Sequence, residues 1–168
     1  MLAPGGRAVS VWQCEEPHKM EDSLIFRVLI AVAAVAVGAT TVIAQQDAIA
    51  TRKALMKATG GQAAVASKMV KGEEPFDLAK AKTVFTTFED TAAKMPALFP
   101  DNSKEGGETT AAPKIWEAKA DFDAKFTKFG ADAKAAGAKV TDLDSFKAAF
   151  GDVAKNCGGC HNDFRVKK

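Results

Sequence analysis

The spacing of apolar residues constrains the fold more than any other feature of this sequence. They recur every three or four positions along residues 46–70, 76–95, 114–138 and the stretch that begins at Thr141. This spacing places them on one face of an α-helix, and no strand pattern competes with it, so the sequence predicts an all-α fold. Helices of about 20 residues are about 30 Å long, and the links within the first pair and within the last pair are short. We therefore expect an antiparallel up-down four-helix bundle.

Two local signals add detail to this prediction. The last helix is expected to begin at Thr141, because Thr141-Asp142-Leu143-Asp144 has the form of a Ser/Thr-x-x-acid capping box. Residues 96–113 form a connection of about 18 residues, whereas helix connections in bundles usually have about 2 to 8. A loop of this length either covers a site or simply crosses the end of the bundle, and the sequence leaves both possibilities open.

The N-terminal part has the layout of a secretory signal. Arg27 precedes an uncharged apolar stretch, residues 28–44, which ends in small residues. We expect cleavage after Ala44, so that residues 20–44 form a signal peptide and residues 45–168 form the mature bundle. An uncleaved membrane anchor is the alternative, although the stretch is slightly short for the roughly 30 Å hydrocarbon core of a bilayer.

The residues before this signal do not resemble a targeting sequence. Residues 1–19 contain acidic residues and a proline, and Met20 would make a natural start. We interpret residues 1–19 as a misassigned extension, in which Cys14 and His18 have no function. A genuine long leader is the alternative interpretation.

The motif that carries chemistry lies near the C-terminus, where residues 157–161 read Cys-Gly-Gly-Cys-His. Cys-x-x-Cys-His is the attachment motif of a c-type haem. On a helix these positions share one face, so the thiols of Cys157 and Cys160 can both form thioethers with one porphyrin while the imidazole of His161 points at the iron. The two intervening glycines let the flat macrocycle lie close to the backbone. We therefore expect one covalently bound haem c, with its iron, in each chain.

Other interpretations of the motif have less support. A disulfide between Cys157 and Cys160 would suit an exported chain, but redox dithiols usually occur in a thioredoxin-like α/β fold, and no strands are predicted here. A zinc site would need a fourth ligand, and residues 45–168 contain no second cluster of Cys or His. Chance occurrence of the motif is the remaining alternative.

Together these features resemble the cytochrome c′ family, including its relatives with a low-spin, methionine-ligated haem. Beyond the motif itself, the resemblance is carried by residues 52–56 (Arg-Lys-Ala-Leu-Met), 71–77 (Lys-Gly-Glu-Glu-Pro-Phe-Asp), 113–116 (Pro-Lys-Ile-Trp) and 163–165 (Asp-Phe-Arg). It implies a four-helix bundle that binds haem near one end. His161 is the only histidine after the expected cleavage site, so it is the expected proximal iron ligand.

The resemblance also implies which residues surround the haem. The distal residue of this family comes from the first helix, four positions after an arginine, which makes Met56 the expected sixth ligand; packing of Met56 without a bond to iron is the alternative. Arg52 is expected to pair with a haem propionate, or else to be a solvated arginine. Glu108 and Thr109 match family positions along the haem edge, and Arg165 matches a basic residue near the proximal face.

These expectations lead to a predicted function. Iron uses the only imidazole of the mature chain, so no acid–base constellation remains and we expect a protein that is not an enzyme. We predict a periplasmic monohaem cytochrome that exchanges single electrons with periplasmic redox proteins. The alternative is a five-coordinate, high-spin protein that binds nitric oxide or carbon monoxide.

The expected partners follow from charge and from the family resemblance. The chain has 23 basic and 21 acidic residues, which is too balanced for nucleic-acid binding. Membrane association is expected only if the signal stays uncleaved. A homodimer is possible, since proteins of the cytochrome c′ family often form one.

Overall fold

The computed structural model describes the backbone of residues 22–166 and the side chains of residues 47–166. The predictions about residues 1–19 and the start at Met20 lie outside the described residues, as do the side chains of the expected signal peptide. Contacts divide the chain into two units, Met1–Ala39 and Thr40–Lys168, and the second unit contains the predicted bundle. Among the residues whose side chains are described, no helix has the length and apolar composition needed to cross a membrane.

The described backbone is helical, and its only β-type pairing is an isolated bridge. The helices are α1 (Asp22–Lys71), α2 (Leu78–Lys94), α3 (Lys114–Glu117), α4 (Lys119–Lys139) and α5 (Leu143–Phe164). Within the second unit, α2, α4, α5 and the part of α1 that follows Ala39 form the predicted up-down bundle around one core. The all-α prediction and the four-helix bundle are therefore confirmed.

The third predicted helix, residues 114–138, is wrong as a single element. Ala118 has φ −125° and ψ 51°, which is not helical, so the backbone breaks there into the short α3 and the long α4. The break stands in an ordinary Glu-Ala-Lys sequence without Pro or Gly, so no local signal announces it. On α3, Ile115 is buried and the indole of Trp116 donates a hydrogen bond of 3.1 Å to the carbonyl oxygen of Phe99. A tertiary contact of α3 therefore accompanies the change of direction.

The start of α5 is displaced by one residue from the prediction. The N-cap is Asp142 and not Thr141, and its carboxylate accepts a hydrogen bond from the backbone N–H of Ser145 at 2.8 Å. The Ser145 hydroxyl is within 3.0 Å of the backbone N–H of Asp142, which completes a capping box. Asp142 is the N-cap in place of Thr141 because Ser145, three residues after Asp142, can accept the reciprocal hydrogen bond from the Asp142 backbone N–H.

The core is built from apolar positions that share the predicted helix faces, and aromatic rings dominate it. Phe85, Phe88 and Phe146 are at most 1% exposed. Their rings make edge-on contacts, with centroids 6.3 Å apart for Phe85–Phe88 and 5.9 Å apart for Phe85–Phe146. One position on the predicted faces differs, because Leu78, the first residue of α2, is 38% exposed.

The long connection after α2 runs to the C-terminal end of α5. It begins with two short 3₁₀ turns, Met95–Leu98 and Asp101–Ser103. It ends beside the residues that follow the motif: the backbone N–H of Ala112 donates to the carbonyl oxygen of Phe164 at 3.0 Å, and that of Val166 donates to the carbonyl oxygen of Thr110 at 2.9 Å. The loop is therefore fixed next to the last turn of α5.

Candidate haem-attachment site

The Cys-x-x-Cys-His motif lies on the last turns of α5. Cys157 and Cys160 are half-buried and are not joined in a disulfide, and Cys160 packs against the core. Burial disfavours the thiolate and so raises the pKa of both thiols. Loss of hydration, followed by the charge of Arg165, lowers the pKa of His161. The neutral imidazole, which is the form that binds metal, is thereby favoured.

Helix α4 contacts this motif through polar side chains. The Nζ atom of Lys125 donates to the carbonyl oxygen of Gly159 at 3.1 Å and lies 3.2 Å from a carboxylate oxygen of Asp163. The Nζ atom of Lys114 lies 3.6 Å from the other carboxylate oxygen. The hydrogen bond from Lys125, followed by the charge of Lys114, lowers the pKa of Asp163. The last turns of α5 are therefore tied to α4 through Lys125 and to α3 through Lys114.

A second polar contact lies just before the motif. The side-chain amide of Asn156 donates to Asp132 of α4 at 2.8 Å, and also to the carbonyl oxygen of Val153 at 3.1 Å. Lys128 donates to the same carboxylate, and its hydrogen bond and that of Asn156 lower the pKa of Asp132. These residues, with those around Gly159, line a groove of 1110 Å³ between α4 and α5.

On α1, Arg52 is buried and not solvated, with only 5% of its surface exposed. Its Nη2 atom donates to the carbonyl oxygen of Ser103 at 3.0 Å, and its guanidinium carbon lies 4.4 Å from the ring centre of Phe99. Desolvation lowers the pKa of Arg52. Among the buried side-chain atoms of the described residues, Nη1 of Arg52 alone has no hydrogen-bond partner. A buried donor without a partner is costly, so this atom marks a place for an acceptor.

Met56 lies one turn after Arg52 on α1, is half-buried and packs against the core. A chain of ring contacts connects this part of α1 to α5. Phe99, which packs on Arg52, is 4.7 Å from Phe122 between ring centres, and Phe122 is 5.3 Å from Phe164. Met56 of α1 and Cys160 of α5 therefore border the same core.

The remaining predicted site residues, Glu108, Thr109 and Arg165, differ in their contacts and their exposure. The side chain of Glu108 is 87% exposed, and its carboxylate lies 3.7 Å from Lys53. The hydroxyl of Thr109 accepts a hydrogen bond of 3.2 Å from the backbone N–H of Ala111. Arg165 is exposed, lies at the end of α5 and forms the isolated bridge with Ala111. The structure therefore places Arg165 next to the motif and Glu108 on the surface of the loop, and the proposed haem contacts of both stay predictions.

The geometry agrees with a comparison against known families. The model of the family described as Cytochrome C′ matches residues 47–165. The chain belongs to the cytochrome c′ family.

Relatives of this family match most of the chain. A cytochrome c′ from Rhodopseudomonas palustris is 46% identical over 134 residues, which are 80% of this chain and 92% of the relative. A cytochrome c-556 from the same organism is 35% identical over 148 residues, which are 86% of this chain and 99% of the relative. The solved structure of cytochrome c′ from Rhodopseudomonas palustris superposes with a TM-score of 0.70 at 48% identity, covering 73% of this chain and 98% of that chain.

Cytochromes of the c′ family bind haem c covalently through a Cys-x-x-Cys-His motif, so this chain is a haem c cytochrome. The residues present fit that group. Cys157 and Cys160 supply two thiols on one helix face, and His161 supplies an imidazole on the same turns. The unpartnered Nη1 of Arg52 supplies a buried cationic donor, which suits the carboxylate of a propionate.

Sequence reasoning missed two parts of this cytochrome c′ site. The first is Ser103, which is fully buried and whose carbonyl oxygen orients Arg52. The second is a pair of α4 side chains: Lys125 contacts the haem-attachment motif, and Asp132 contacts Asn156, the residue before it. The unusual length of the loop that carries Ser103 was a signal for the first part, and no sequence signal marked the second.

Proposed function

We propose that this cytochrome c′ family member is a periplasmic monohaem electron carrier. In this proposal Cys157 and Cys160 hold the haem through thioethers, His161 is the proximal iron ligand and Met56 is the sixth ligand. Haem c supplies an iron that alternates between the ferric and ferrous states.

The arrangement of Arg52 and Met56 is the observation that carries this proposal. Arg52 presents an unpartnered buried donor, and Met56 follows one turn later against the core that Cys160 also contacts. A guanidinium at this place pairs with a propionate, which offsets the cost of burying that anion. As a ligand, the thioether of Met56 would favour reduced iron and raise the reduction potential.

A substitution of Met56 tests this assignment in the exported, haem-loaded protein. The ferric wild type is expected to be low-spin, with the weak far-red band of sulfur-ligated haem. Met56→Leu is expected to lose that band and to become high-spin, because leucine keeps the volume but has no ligand atom. Met69→Leu is the matched control: Met69 lies on the same helix, is 1% exposed in the core, and its replacement should leave the spectrum unchanged.

Other results would contradict the proposal. A high-spin ferric wild type, whose reduced form shifts on adding carbon monoxide, would show the five-coordinate, gas-binding alternative. A polypeptide without the added mass of one haem would reject both functions.

The proposed location and partners are tested separately. Export with cleavage after Ala44 predicts a periplasmic protein that begins at Gln45, which cell fractionation and intact mass would show. The proposed partners are periplasmic redox proteins, and the proposal includes a homodimer, which sedimentation of the haem-loaded protein would detect. The proposal assigns no catalytic residue, and it includes neither nucleic-acid binding nor, once the signal is cleaved, membrane binding.

A further inference from the structure

The helical turn that carries the haem-attachment motif is weak in itself. It contains two adjacent glycines, Gly158 and Gly159, and glycine is among the poorest helix formers because it loses the most backbone freedom on folding. A Cβ atom at Gly158 would meet nothing within 4 Å, and one at Gly159 would meet only the Nζ atom of Lys125, at 4.0 Å. Packing at these two positions therefore does little to keep the turn in place.

Polar contacts from α4 hold both ends of this turn. At the first end, Asp132 accepts a hydrogen bond of 2.8 Å from Asn156, the residue before the motif. At the second end, Lys125 donates to the carbonyl oxygen of Gly159 at 3.1 Å and pairs with Asp163 at 3.2 Å. Since these contacts bracket the glycines, they restrain the part of the helix that packing leaves free.

We propose that Lys125 and Asp132 are positioning residues, which hold the haem-attachment turn in helical register and thereby fix the direction of the His161 imidazole. The inference rests on the proposed function, in which that imidazole binds iron. His161 lies two residues after Gly159, so a rotation of this turn would tilt the ring directly. The two residues act through the backbone and side chains of α5, not through contact with haem.

The exposure of these contacts sets the size of the expected effect. The side chains of Lys125 and Asp163 are 40% and 41% exposed, so their ion pair is screened by water. Their loss is expected to increase local opening of the turn by a modest factor and to leave the global fold intact. The substitutions are therefore compatible with a folded, haem-loaded protein.

The test compares variants of the haem-loaded protein by hydrogen–deuterium exchange and by the ferric electron paramagnetic resonance spectrum. Lys125→Met and Asp132→Ala are each expected to speed exchange in residues 157–164 by about threefold to fivefold. They are also expected to broaden the lines of the ferric spectrum, because the His161 imidazole then adopts a wider range of directions and the g-values are more widely distributed. Lys125→Arg keeps a charged donor and is expected to restore both properties.

Lys134→Met is the matched control. Lys134 is an exposed residue of α4 that makes no hydrogen bond or ion pair with any described residue, so its loss removes the same charge from the same helix without removing a contact. Equal exchange in Lys125→Met and Lys134→Met would overturn the inference. Faster exchange with an unchanged ferric spectrum would also overturn it, since the contacts would then only stabilise the turn. Failure of the proposed function is distinguishable, because it appears in the wild-type optical spectrum.

Discussion

Replacement of Arg52 by methionine tests whether its unpartnered donor is satisfied by the haem. The change removes the bond to the carbonyl oxygen of buried Ser103, and a hydrogen bond to a charged group contributes about 1.5–3 kcal/mol. It also removes the contact with Phe99, worth about 0.5–2 kcal/mol. If Nη1 has no partner, the variant also avoids the cost of burying an unpaired cation, and this gain offsets much of the lost stability. If Nη1 pairs with a propionate, that gain is small and the variant also loses a charge-assisted bond.

The two cases predict different stabilities. With the propionate bound to Arg52, we expect Arg52→Met to lower the free energy of unfolding of the haem-loaded protein by about 3 kcal/mol. Guanidinium chloride titration at pH 7, followed by circular dichroism, measures this difference. Lys53→Met is the control, because the adjacent Lys53 is 56% exposed and makes only long contacts, so its loss should cost about 0.5 kcal/mol or less. A loss below about 1 kcal/mol for Arg52→Met would refute the pairing.

Two further predictions concern the cap of α5 and the glycines. The hydrogen bonds from Ser145 lower the pKa of Asp142, so this carboxylate stabilises the fold above its unfolded-state pKa of about 3.9, and that stabilisation is lost as pH falls through the lower folded-state value. At pH 6 the melting temperature of Asp142→Ala should therefore be lower than that of the wild type, and the two should converge as the pH is lowered below about 4. A difference in melting temperature that stays constant with pH would contradict the cap. Gly151→Ala on α5 should raise the free energy of unfolding by about 0.5–1 kcal/mol, since the added Cβ would meet nothing within 4 Å. Gly107→Ala should lower it, because Gly107 has φ +53° and its added Cβ would lie 2.9 Å from Ile49. Denaturant titration measures both changes, and the same sign for both would contradict this prediction.

The elements of this fold are predictable from sequence where the information is local. Apolar spacing reports which face of each helix is buried, and the buried rings of Phe85 and Phe146 lie on the faces so predicted. The break at Ala118 is not predictable in this way, because no Pro or Gly stands there and the change of direction accompanies the bond from Trp116 to Phe99, 17 positions away. The shift of the α5 cap to Asp142 is an intermediate case: the competing caps are adjacent, and the reciprocal bond from Ser145 decides between them.

The same division applies to the candidate site. The spacing of Cys157, Cys160 and His161 is local, and the structure places all three on the last turns of one helix, as predicted. The bond from Arg52 to Ser103 could not be foreseen, because Ser103 is 51 positions away in a loop without periodicity. For Glu108 the resemblance implies a position at the haem edge; its side chain is 87% exposed on the loop, and that position stays a prediction. In that loop a positive φ of 53° at Glu108 sets the direction of the chain, and residue matching does not report it.

The contacts of Lys125 and Asp132 show why such supporting residues escape sequence analysis. Each spans from α4 to α5, over 34 and 24 positions, so it depends on how two helices are aligned along their axes and not on the spacing within either. A lysine and an aspartate on an exposed helix face are also what solubility alone would select. The local pattern around Asp132 favours that simpler interpretation, because Lys128 lies four residues earlier and forms an ordinary pair within the helix. What distinguishes Asp132 is its second bond, to the residue before a turn with two glycines. The weakness of that turn is visible in the sequence, whereas the contacts that offset it are visible only in the structure.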